Sequence, residues 1–311
     1  MHGALTCSTL EGELMKALLT GGTGFIGGNL LQLLPDAVVL SRNPDAAPVK
    51  LGSARRLRWD PEAEPAPAEA FADVDVVFNL AGESIAHGRW TDEKKRRIRE
   101  SRLRSTQNLI AGMAALKTPP AVLVSASAVG YYGDCGNDEL GEESPAGRGF
   151  LADVCTEWED AAIAATKLGV RVVCARVGLV LAKGGGALAQ MLGPFRMGLG
   201  GKIADGKQWV PWIHIEDAIQ MLVFAAERPT IGGAMNAVSP NPVTNADFTR
   251  ALGHALHRPT FLSVPKLALR AALGEMSEVI TASCRALPRV AERNGFTFRY
   301  PQLDEALAAA L

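Results

Sequence analysis

The sequence predicts an α/β protein with a doubly wound parallel sheet and a smaller C-terminal region. Short β-branched apolar runs alternate with helix-like stretches, and a glycine-rich turn joins the first run to the first helix. Strands that alternate with helices form parallel sheets, and strands buried on both faces are continuous apolar runs. Ligands of such sheets bind outside the carboxyl ends of the strands, so we expect the functional site there.

The glycine-rich turn lies near the start of the chain. A short apolar run leads into segment 20–27 (TGGTGFIG), and an apolar helix-like run continues to residue 34. In a strand–turn–helix of this kind, one glycine permits the tight turn and one lets the backbone approach a pyrophosphate. A third glycine lets the helix pack closely on the strand. The spacing of Gly21, Gly24 and Gly27 therefore predicts a Rossmann-type dinucleotide-binding fold.

The remaining strands and helices follow from hydrophobic patterning. Further strands are predicted at 37–40, 74–80, 121–125 and 170–176. Helices are predicted at 91–116, 154–168 and 303–311. Prolines predict a loop over 60–70, and glycines predict irregular, mobile structure at 184–186 and 198–201.

The change of rhythm near residue 180 suggests a division of the chain. We interpret residues 15–180 as the dinucleotide-binding domain, to which later segments can return, and 181–311 as a smaller substrate-side region. Residues 1–14 lack the basic and apolar regions of a secretory signal, and we interpret them as a peripheral N-terminal extension.

Composition and charge argue against several classes of protein. The chain has 311 residues, of which 48% are hydrophobic and 21% charged, with a net charge of -1. This charge favours neither nucleic acid nor an anionic membrane as a partner, and no apolar run is long enough to cross a bilayer. The five cysteines lack metal-site spacing, which predicts reduced thiols and a cytoplasmic location.

The end of the second predicted strand favours NADP(H) over NAD(H). Chains that prefer NAD usually carry Asp or Glu there, which accepts hydrogen bonds from the ribose 2′-hydroxyl. Here the strand ends in Ser41-Arg42. Arg42 can pair with a 2′-phosphate and Ser41 can donate to it, whereas the alternative is a solvated surface arginine.

A basic run at 94–99 lies on the predicted helix 91–116. Nearby acidic residues offset it, so we interpret it as a solvated helix face rather than a nucleic-acid surface. Arg97 and Arg102 are five residues apart, and we expect one of them to face the cofactor phosphates. Glu83, directly after the Gly82 turn at the carboxyl end of a predicted strand, is a candidate pocket acid.

Motifs follow several of the predicted strands: TGxxGxxG at 20–27, NLAG at 79–82, SAS at 125–127 and WIHIED at 212–217. Together they resemble an extended short-chain dehydrogenase/reductase of the sugar-nucleotide-epimerase kind. GESI at 82–85, RWT at 89–91, GYYG at 130–133, WE at 158–159 and PWIH at 211–214 resemble its "epimerase family" subgroup, once labelled cell-division-inhibitor-like.

The C-terminal runs 269–276 (LRAALGEM) and 295–301 (GFTFRYP) resemble that subgroup's small domain of unknown function. The resemblance covers residues 15–311. It implies a Rossmann fold with a smaller substrate-side domain, and bound NADP(H).

The resemblance also implies a site for proton transfer. Such enzymes usually use a Ser or Thr together with a Tyr that is followed four residues later by Lys, and the Lys lowers the pKa of the Tyr. Ser127 matches the Ser position. When the chain is aligned on Glu159, the Tyr and Lys positions hold Leu151 and Cys155, and neither can transfer a proton as Tyr and Lys would.

Tyr131 and Tyr132 are close in sequence to Ser127 and are candidate substitutes for the missing Tyr. The alternative is that one tyrosine packs in the core while the other lines the pocket. Cys155 is a candidate nucleophile only if a neighbouring base or cation lowers its pKa, and a buried, unreactive thiol is the alternative.

The predicted cofactor contacts lie in the glycine turn, at the strand ends and on the basic helix. They are Gly21, Thr23, Gly24, Phe25, Ile26, Gly27, Ser41, Arg42, Leu80, Ala81, Gly82, Arg97, Arg102, Ser125 and Val180.

Two functions are compatible with these residues. The first is an NADP(H)-dependent, epimerase-like oxidoreductase that acts on a small carbonyl or a sugar nucleotide, with Ser127 donating to the substrate oxygen. The second is a non-catalytic NADP(H)-binding or sensing protein that acts through a partner. The sequence leaves a homodimer open and predicts no metal site.

Overall fold

The computed structural model describes residues 9–10, 13–45, 54–86 and 88–311, with side chains from residue 15 onward. Within these residues, seven parallel strands form the central sheet. In chain order they are β1 Ala17–Thr20, β2 Val38–Ser41, β3 Arg55–Arg58, β4 Val76–Asn79, β5 Val122–Ala128, β6 Arg171–Val177 and β7 Gly233–Ala237.

The order of the strands across the sheet is β3-β2-β1-β4-β5-β6-β7. The chain builds outward from β1 in both directions, which is the doubly wound order, and the crevice at the reversal lies between β1 and β4. The predicted Rossmann-type fold class is therefore confirmed.

Helices cover both faces of the sheet and build the region beyond it. In the described chain they are α1 Phe25–Leu30, α2 Asp92–Ala114, α3 Phe150–Ile163, α4 Gly186–Arg196, α5 Ile215–Glu227, α6 Asn245–Ala255, α7 Lys266–Leu273, α8 Ser277–Thr281, α9 Arg289–Arg293 and α10 Leu303–Ala310. Single 3₁₀ turns cover Ala68–Phe71, Val129–Tyr132, Ala164–Leu168 and Gly274–Met276.

Two apolar layers hold the sheet between its helices. Leu30 of α1 and Ile219 of α5 pack on one face, whereas Leu109 of α2 and Ala162 of α3 pack on the other. A third cluster joins α4, α6 and α10 around Phe248 in the C-terminal part of the chain.

Short strand pairs outside the central sheet join the C-terminal part to itself and to the segment that follows β5. Leu179–Leu181 pairs with Trp212–His214, Gly201–Ile203 with Leu262–Val264, Trp209–Val210 with Val243–Thr244, and Glu139–Leu140 with Arg285–Ala286. Thr9–Leu10 and Glu13–Leu14 pair near the N-terminus, and the rest of the predicted extension 1–14 lies outside the described residues.

Several predicted boundaries were wrong by about one turn. The helix predicted through residue 34 ends at Leu30, because tighter i→i+3 bonds, such as Leu33 N to Leu30 O, replace the helical ones. α3 begins at Phe150, four residues before the predicted start, and β5 continues to Ala128. α4 begins at Gly186, where irregular structure was predicted.

Two strands of the sheet were not predicted. β3 reads Arg-Arg-Leu-Arg because it is a largely exposed edge strand, and an edge does not need the apolar run of a buried strand. β7 comes from the interval 181–311 and pairs with β6, so the chain returns to the sheet after residue 181. The division at residue 180 itself stays a prediction. No helix in the described part of the chain is long and apolar enough to span a membrane.

Candidate functional site

The glycine turn lies at the carboxyl edge of the sheet, where its backbone passes close to the end of β4. Gly21 has a φ of +68°, and a Cβ there would lie 2.6 Å from the carbonyl oxygen of Leu80. A Cβ on Gly27 would overlap the Gly21 carbonyl oxygen. Both positions therefore require glycine for the turn to close and for α1 to pack.

Gly24 differs from the other two glycines because space remains beside it. Its N–H donates to the Gly21 oxygen at 2.9 Å, and an added Cβ would meet only that oxygen, at 3.1 Å. A backbone surface that is open at a glycine can be approached closely by a pyrophosphate. The turn therefore fits a dinucleotide.

The residues after the turn face different surroundings. Phe25 packs its ring against Gly185 and Gly186, so the start of α1 contacts the start of α4. Ile26 packs partly into the core, while Thr23 is exposed. Val180 is largely buried in the strand Leu179–Leu181.

A buried polar network joins the ends of three neighbouring strands beneath the site. Thr20 donates to Asn79 Oδ1 at 2.8 Å, and Asn79 Nδ2 donates to Thr106 at 2.9 Å and to Ser125 at 3.1 Å. Thr20 Oγ1 also accepts from the backbone N–H groups of Leu80 and Ala81. The side chains of Thr20, Asn79, Ser125 and Thr106 are fully or almost fully buried, so Ser125 supports the strand ends from below.

The loop after β4 is held in place by α2. Glu83 N donates to Ser101 Oγ at 3.0 Å, and Arg102 Nη1 donates to the carbonyl oxygens of Glu83 and Ile98 at 3.0 and 2.9 Å. The Arg102 side chain also lies so close to Gly82 that a Cβ there would be 3.2 Å from its Cζ. Arg102, one of the two arginines predicted to face the cofactor phosphates, thus hydrogen-bonds to the backbone of this loop.

The other arginine belongs to a charged cluster around the Glu83 side chain. Lys94 Nζ lies 2.6 Å and Arg97 Nη2 lies 3.6 Å from Glu83 Oε1. The hydrogen bond from Lys94, with the positive charges of Lys94, Arg97 and Arg42, lowers the pKa of Glu83. At the end of β2, Arg42 is exposed and Ser41 is half-buried.

Ser127 belongs to a second buried network, at the end of β5. Its Oγ lies 2.6 Å from Glu159 Oε1, and Glu159 receives two further bonds of 2.8 Å from Arg176. All three residues are 4–6% exposed. An ionised carboxylate only accepts hydrogen bonds, so the Ser127 proton is already engaged with Glu159. Donation to a substrate oxygen, as the sequence predicted, requires this bond to be exchanged.

The two neighbouring tyrosines have different environments. Tyr132 is fully buried, and burial raises the pKa of its phenol to about 12. Its hydroxyl lies 2.7 Å from Asn236 Oδ1 and accepts a hydrogen bond from Arg176 Nη1 at 2.9 Å. A phenol in this position is poorly suited to exchange protons with a ligand near neutral pH. Tyr131 is half-buried, with its ring 3.4 Å from the Arg176 guanidinium carbon. Of the two tyrosines, Tyr131 is therefore the one that is not fully buried.

The α3 positions where Tyr and Lys were expected hold apolar and unreactive groups. Leu151 lies against Gly130, whose Cβ would be 3.2 Å from that of Leu151. Cys155 is buried, and burial raises the pKa of its thiol to about 11. A thiol with this pKa is neither a nucleophile nor a substitute for a lysine cation.

His214 acts as a helix cap. Its Nδ1 accepts from Glu216 N at 3.3 Å at the start of α5, and its ring packs 4.0 Å from that of Tyr300. Burial, together with the charge of Arg299, lowers its pKa to about 4. Asp217 accepts from the backbone of Arg299 and Tyr300, so this segment joins α5 to the C-terminal region.

Comparison with known proteins agrees with this architecture. Residues 17–238 match the model of the NAD dependent epimerase/dehydratase family. The chain belongs to this family. Residues 264–310 match a domain of unknown function, DUF1731, which covers the C-terminal segment described above. The resemblance inferred from the sequence motifs is confirmed.

Members of the family resemble this chain along nearly all of its length. The epimerase family protein Mb2239 of Mycobacterium bovis is 41% identical over 295 residues, covering 94% of this chain and 96% of the relative. The crystal structure of human epimerase family protein SDR39U1 (isoform 2) with NADPH has a TM-score of 0.84 and 35% identity, covering 95% of this chain and 99% of that one.

A further solved structure is titled as a nucleoside-diphosphate sugar epimerase, from Corynebacterium glutamicum. It has a TM-score of 0.78 and 33% identity to this chain, and covers 97% of this chain and 59% of that one.

The sequence did not predict the side chains that hold the candidate site residues in place. Thr106 and Arg176 make central buried bonds, yet neither stood out as a site residue. Arg176 carried one signal: a charged side chain inside a buried apolar strand requires a partner. Lys94 was read as part of a solvated helix face, but its side chain is largely buried beside Glu83.

Proposed function

We propose that this chain binds NADP(H) at the crevice between β1 and β4. One observation carries the proposal: the open glycine turn lies at the same edge of the sheet as Ser41 and Arg42, and no carboxylate ends β2. An arginine and a serine at that place suit a 2′-phosphate, whereas an NAD-binding site usually has an acid there. The NADPH in the human SDR39U1 crystal structure supports the same choice.

Binding of the two dinucleotides to the full chain tests this proposal directly. Isothermal titration should give a lower Kd for NADPH than for NADH, and NADPH should raise the unfolding temperature more at equal concentration. Equal affinity for both, or no binding of either, would refute it.

We further propose that the chain is an NADP(H)-dependent oxidoreductase acting on a small carbonyl or a sugar nucleotide. When bound, the nicotinamide supplies or accepts a hydride at its C4. Tyr131 supports this candidate because it carries a phenol hydroxyl on a half-buried ring that lies 3.4 Å from the Arg176 guanidinium carbon. The nucleoside-diphosphate sugar epimerase of C. glutamicum supports the sugar-nucleotide class.

The second candidate is a non-catalytic NADP(H)-binding or sensing protein. Leu151 and Cys155 favour it, because the positions that usually hold the Tyr and Lys are apolar or unreactive here. The protons of Ser127 and Tyr132 are also engaged in buried bonds, so the site offers few groups for proton transfer.

Turnover separates these two candidates. Purified protein is incubated with NADPH and a panel of small carbonyls, and with NADP⁺ or NADPH and a panel of sugar nucleotides, while absorbance at the nicotinamide band is followed. A substrate-dependent change that disappears in Tyr131→Phe supports the oxidoreductase. Stabilisation by NADPH without turnover of any substrate supports the sensor.

A further inference from the structure

The charged cluster around Glu83 is incompletely neutralised. Lys94 and Arg97 both approach the same oxygen of Glu83, at 2.6 and 3.6 Å, and the charge of Arg42 also acts on this carboxylate. Three cations against one carboxylate leave two positive charges in excess. Arg42 follows β2 and Glu83 follows β4, and both strands neighbour β1, so the two residues lie at the same carboxyl edge of the sheet. Dinucleotide-binding sheets place the adenosine ribose at the end of β2.

The backbone of Glu83 is fixed, but its side chain is not enclosed. Ser101 and Arg102 hold its N–H and carbonyl group. The carboxylate end remains accessible, since the side chain is 28% exposed and that of Arg97 is 60% exposed. The 3.6 Å pair with the exposed Arg97 is weak, so the carboxylate can leave Arg97 at low cost. The 2.6 Å bond to Lys94, whose side chain is only 14% exposed, is the stronger of the two and costs more to exchange.

We propose that Lys94 and Arg97 join Arg42 in binding the 2′-phosphate of NADP(H), and that Glu83 occupies these cations until the phosphate replaces it. This inference rests on the proposed function. A phosphate monoester carries a charge of about -1.5 to -2 near neutral pH, so it neutralises more of the three cations than the single charge of the Glu83 carboxylate does. Phosphate and carboxylate oxygens accept the same hydrogen bonds from Lys and Arg, so one can replace the other.

The exchange makes Glu83 a determinant of specificity. A 2′-phosphate compensates the cations when it displaces the carboxylate, and Glu83 then turns to solvent. A ribose 2′-hydroxyl carries no charge, so it leaves the ion pairs of Glu83 in place. Glu83 therefore weakens the binding of the phosphorylated ribose while leaving that of the unphosphorylated one unchanged.

Two fragments of the dinucleotides isolate this contribution. Adenosine 2′,5′-bisphosphate carries the 2′-phosphate and 5′-AMP lacks it, so calorimetric titration of the full chain with each probes the cluster alone. Glu83→Gln should bind the bisphosphate about two- to fivefold more tightly than the wild type and bind 5′-AMP equally well. Lys94→Gln and Arg97→Gln should each weaken only the bisphosphate.

Two matched control variants lie on α2, the helix that carries Lys94 and Arg97. Glu93→Gln changes the charge by the same amount but removes a carboxylate paired with Arg96, and Arg96→Gln removes a neighbouring exposed cation. We expect both controls to bind the two probes as the wild type does. Equal gains in Glu83→Gln and Glu93→Gln would mean a general charge effect and would overturn the inference.

The outcomes also separate this inference from the proposed function. If the wild type prefers the bisphosphate but Glu83→Gln does not increase that preference, the role of Glu83 is wrong while NADP(H) binding stands. If the wild type shows no preference, the proposed function fails. If Glu83→Gln unfolds at a lower temperature than the wild type, Arg97→Gln tests the cluster instead, because Arg97 is exposed. An unchanged affinity of Arg97→Gln for the bisphosphate would exclude Arg97 from the phosphate site.

Discussion

Glu159 and Arg176 are joined by two hydrogen bonds of 2.8 Å, and both side chains are almost completely buried. Arg176 pairs with Ser127 in the register of β5 and β6, so strand pairing itself brings the cation under the end of β5. The ion pair thereby fixes the hydroxyl of Ser127 and the rings of Tyr131 and Tyr132. It links the stability of the sheet to the geometry of the candidate site.

Glu159→Gln should destabilise the protein by about 3–5 kcal/mol, because Arg176 would be left as a buried charge without its counter-ion. Urea unfolding measures the change. Glu157→Gln on the same helix is the control, since Glu157 forms an exposed pair with Arg99 and should cost less than about 1 kcal/mol. Similar losses in the two variants would contradict a special role for the buried pair.

Substitutions at two glycines of the turn should affect the stability of the protein and its NADPH affinity differently. Gly27→Ala should lower both the unfolding temperature and the affinity for NADPH, because its Cβ would overlap the Gly21 carbonyl. Gly24→Ala should keep the unfolding temperature near that of the wild type and still weaken NADPH, since its Cβ enters the open side of the turn. If Gly24→Ala binds NADPH normally, the pyrophosphate does not approach there.

Arg42→Ala should weaken NADPH by about tenfold or more and leave NADH nearly unchanged, because a bond between a guanidinium and a phosphate contributes about 1.5–3 kcal/mol. Fluorescence titration with both dinucleotides measures the ratio. Arg55→Ala serves as the control because it removes the same charge from β3, the strand that pairs with β2. Arg55 lies opposite Val38, at the end of β2 away from Arg42. An equal loss for NADPH and NADH would exclude Arg42 from 2′-phosphate recognition.

The two tyrosines should respond differently to loss of the hydroxyl group. Tyr132→Phe should cost about 1–3 kcal/mol of stability, because it leaves buried groups on Asn236 and Arg176 with one partner fewer. Tyr131→Phe should leave stability and NADPH affinity intact and lower kcat on any substrate found in the panel. A variant Tyr131→Phe with full kcat would remove Tyr131 as the proton carrier.

His214 gives the stability a predictable pH dependence. Its pKa is lowered from 6.5 to about 4 in the folded chain, so between these values the unfolded chain binds more protons. Stability therefore falls as the pH drops below about 6.5, by roughly 2 kcal/mol at most at pH 5. His214→Asn keeps an acceptor for the Glu216 N–H and removes the titration. The loss between pH 7 and pH 5 in urea unfolding should thus be smaller in the variant, and an equal loss would contradict it.

Local sequence was sufficient for the sheet interior. β1, β2, β4, β5 and β6 each contain an apolar run of three residues or more, which is the pattern that burial on both faces favours. β3 did not follow from sequence, since it is a largely exposed edge strand without an apolar run. β7 (GAMNA) did not follow either, since it has no apolar run and its pairing with β6 joins residues far apart in the chain.

For the candidate site, the sequence alone determined the glycine turn and the carboxylate-free end of β2, because each is a matter of residue type at a fixed spacing. Only the tertiary structure decided which groups are available. It engaged the Ser127 proton with Glu159, buried Tyr132, left Tyr131 half-buried and gathered Lys94 and Arg97 around Glu83. Burial and the partners of a polar atom depend on elements far apart in the chain, and no local pattern encodes them.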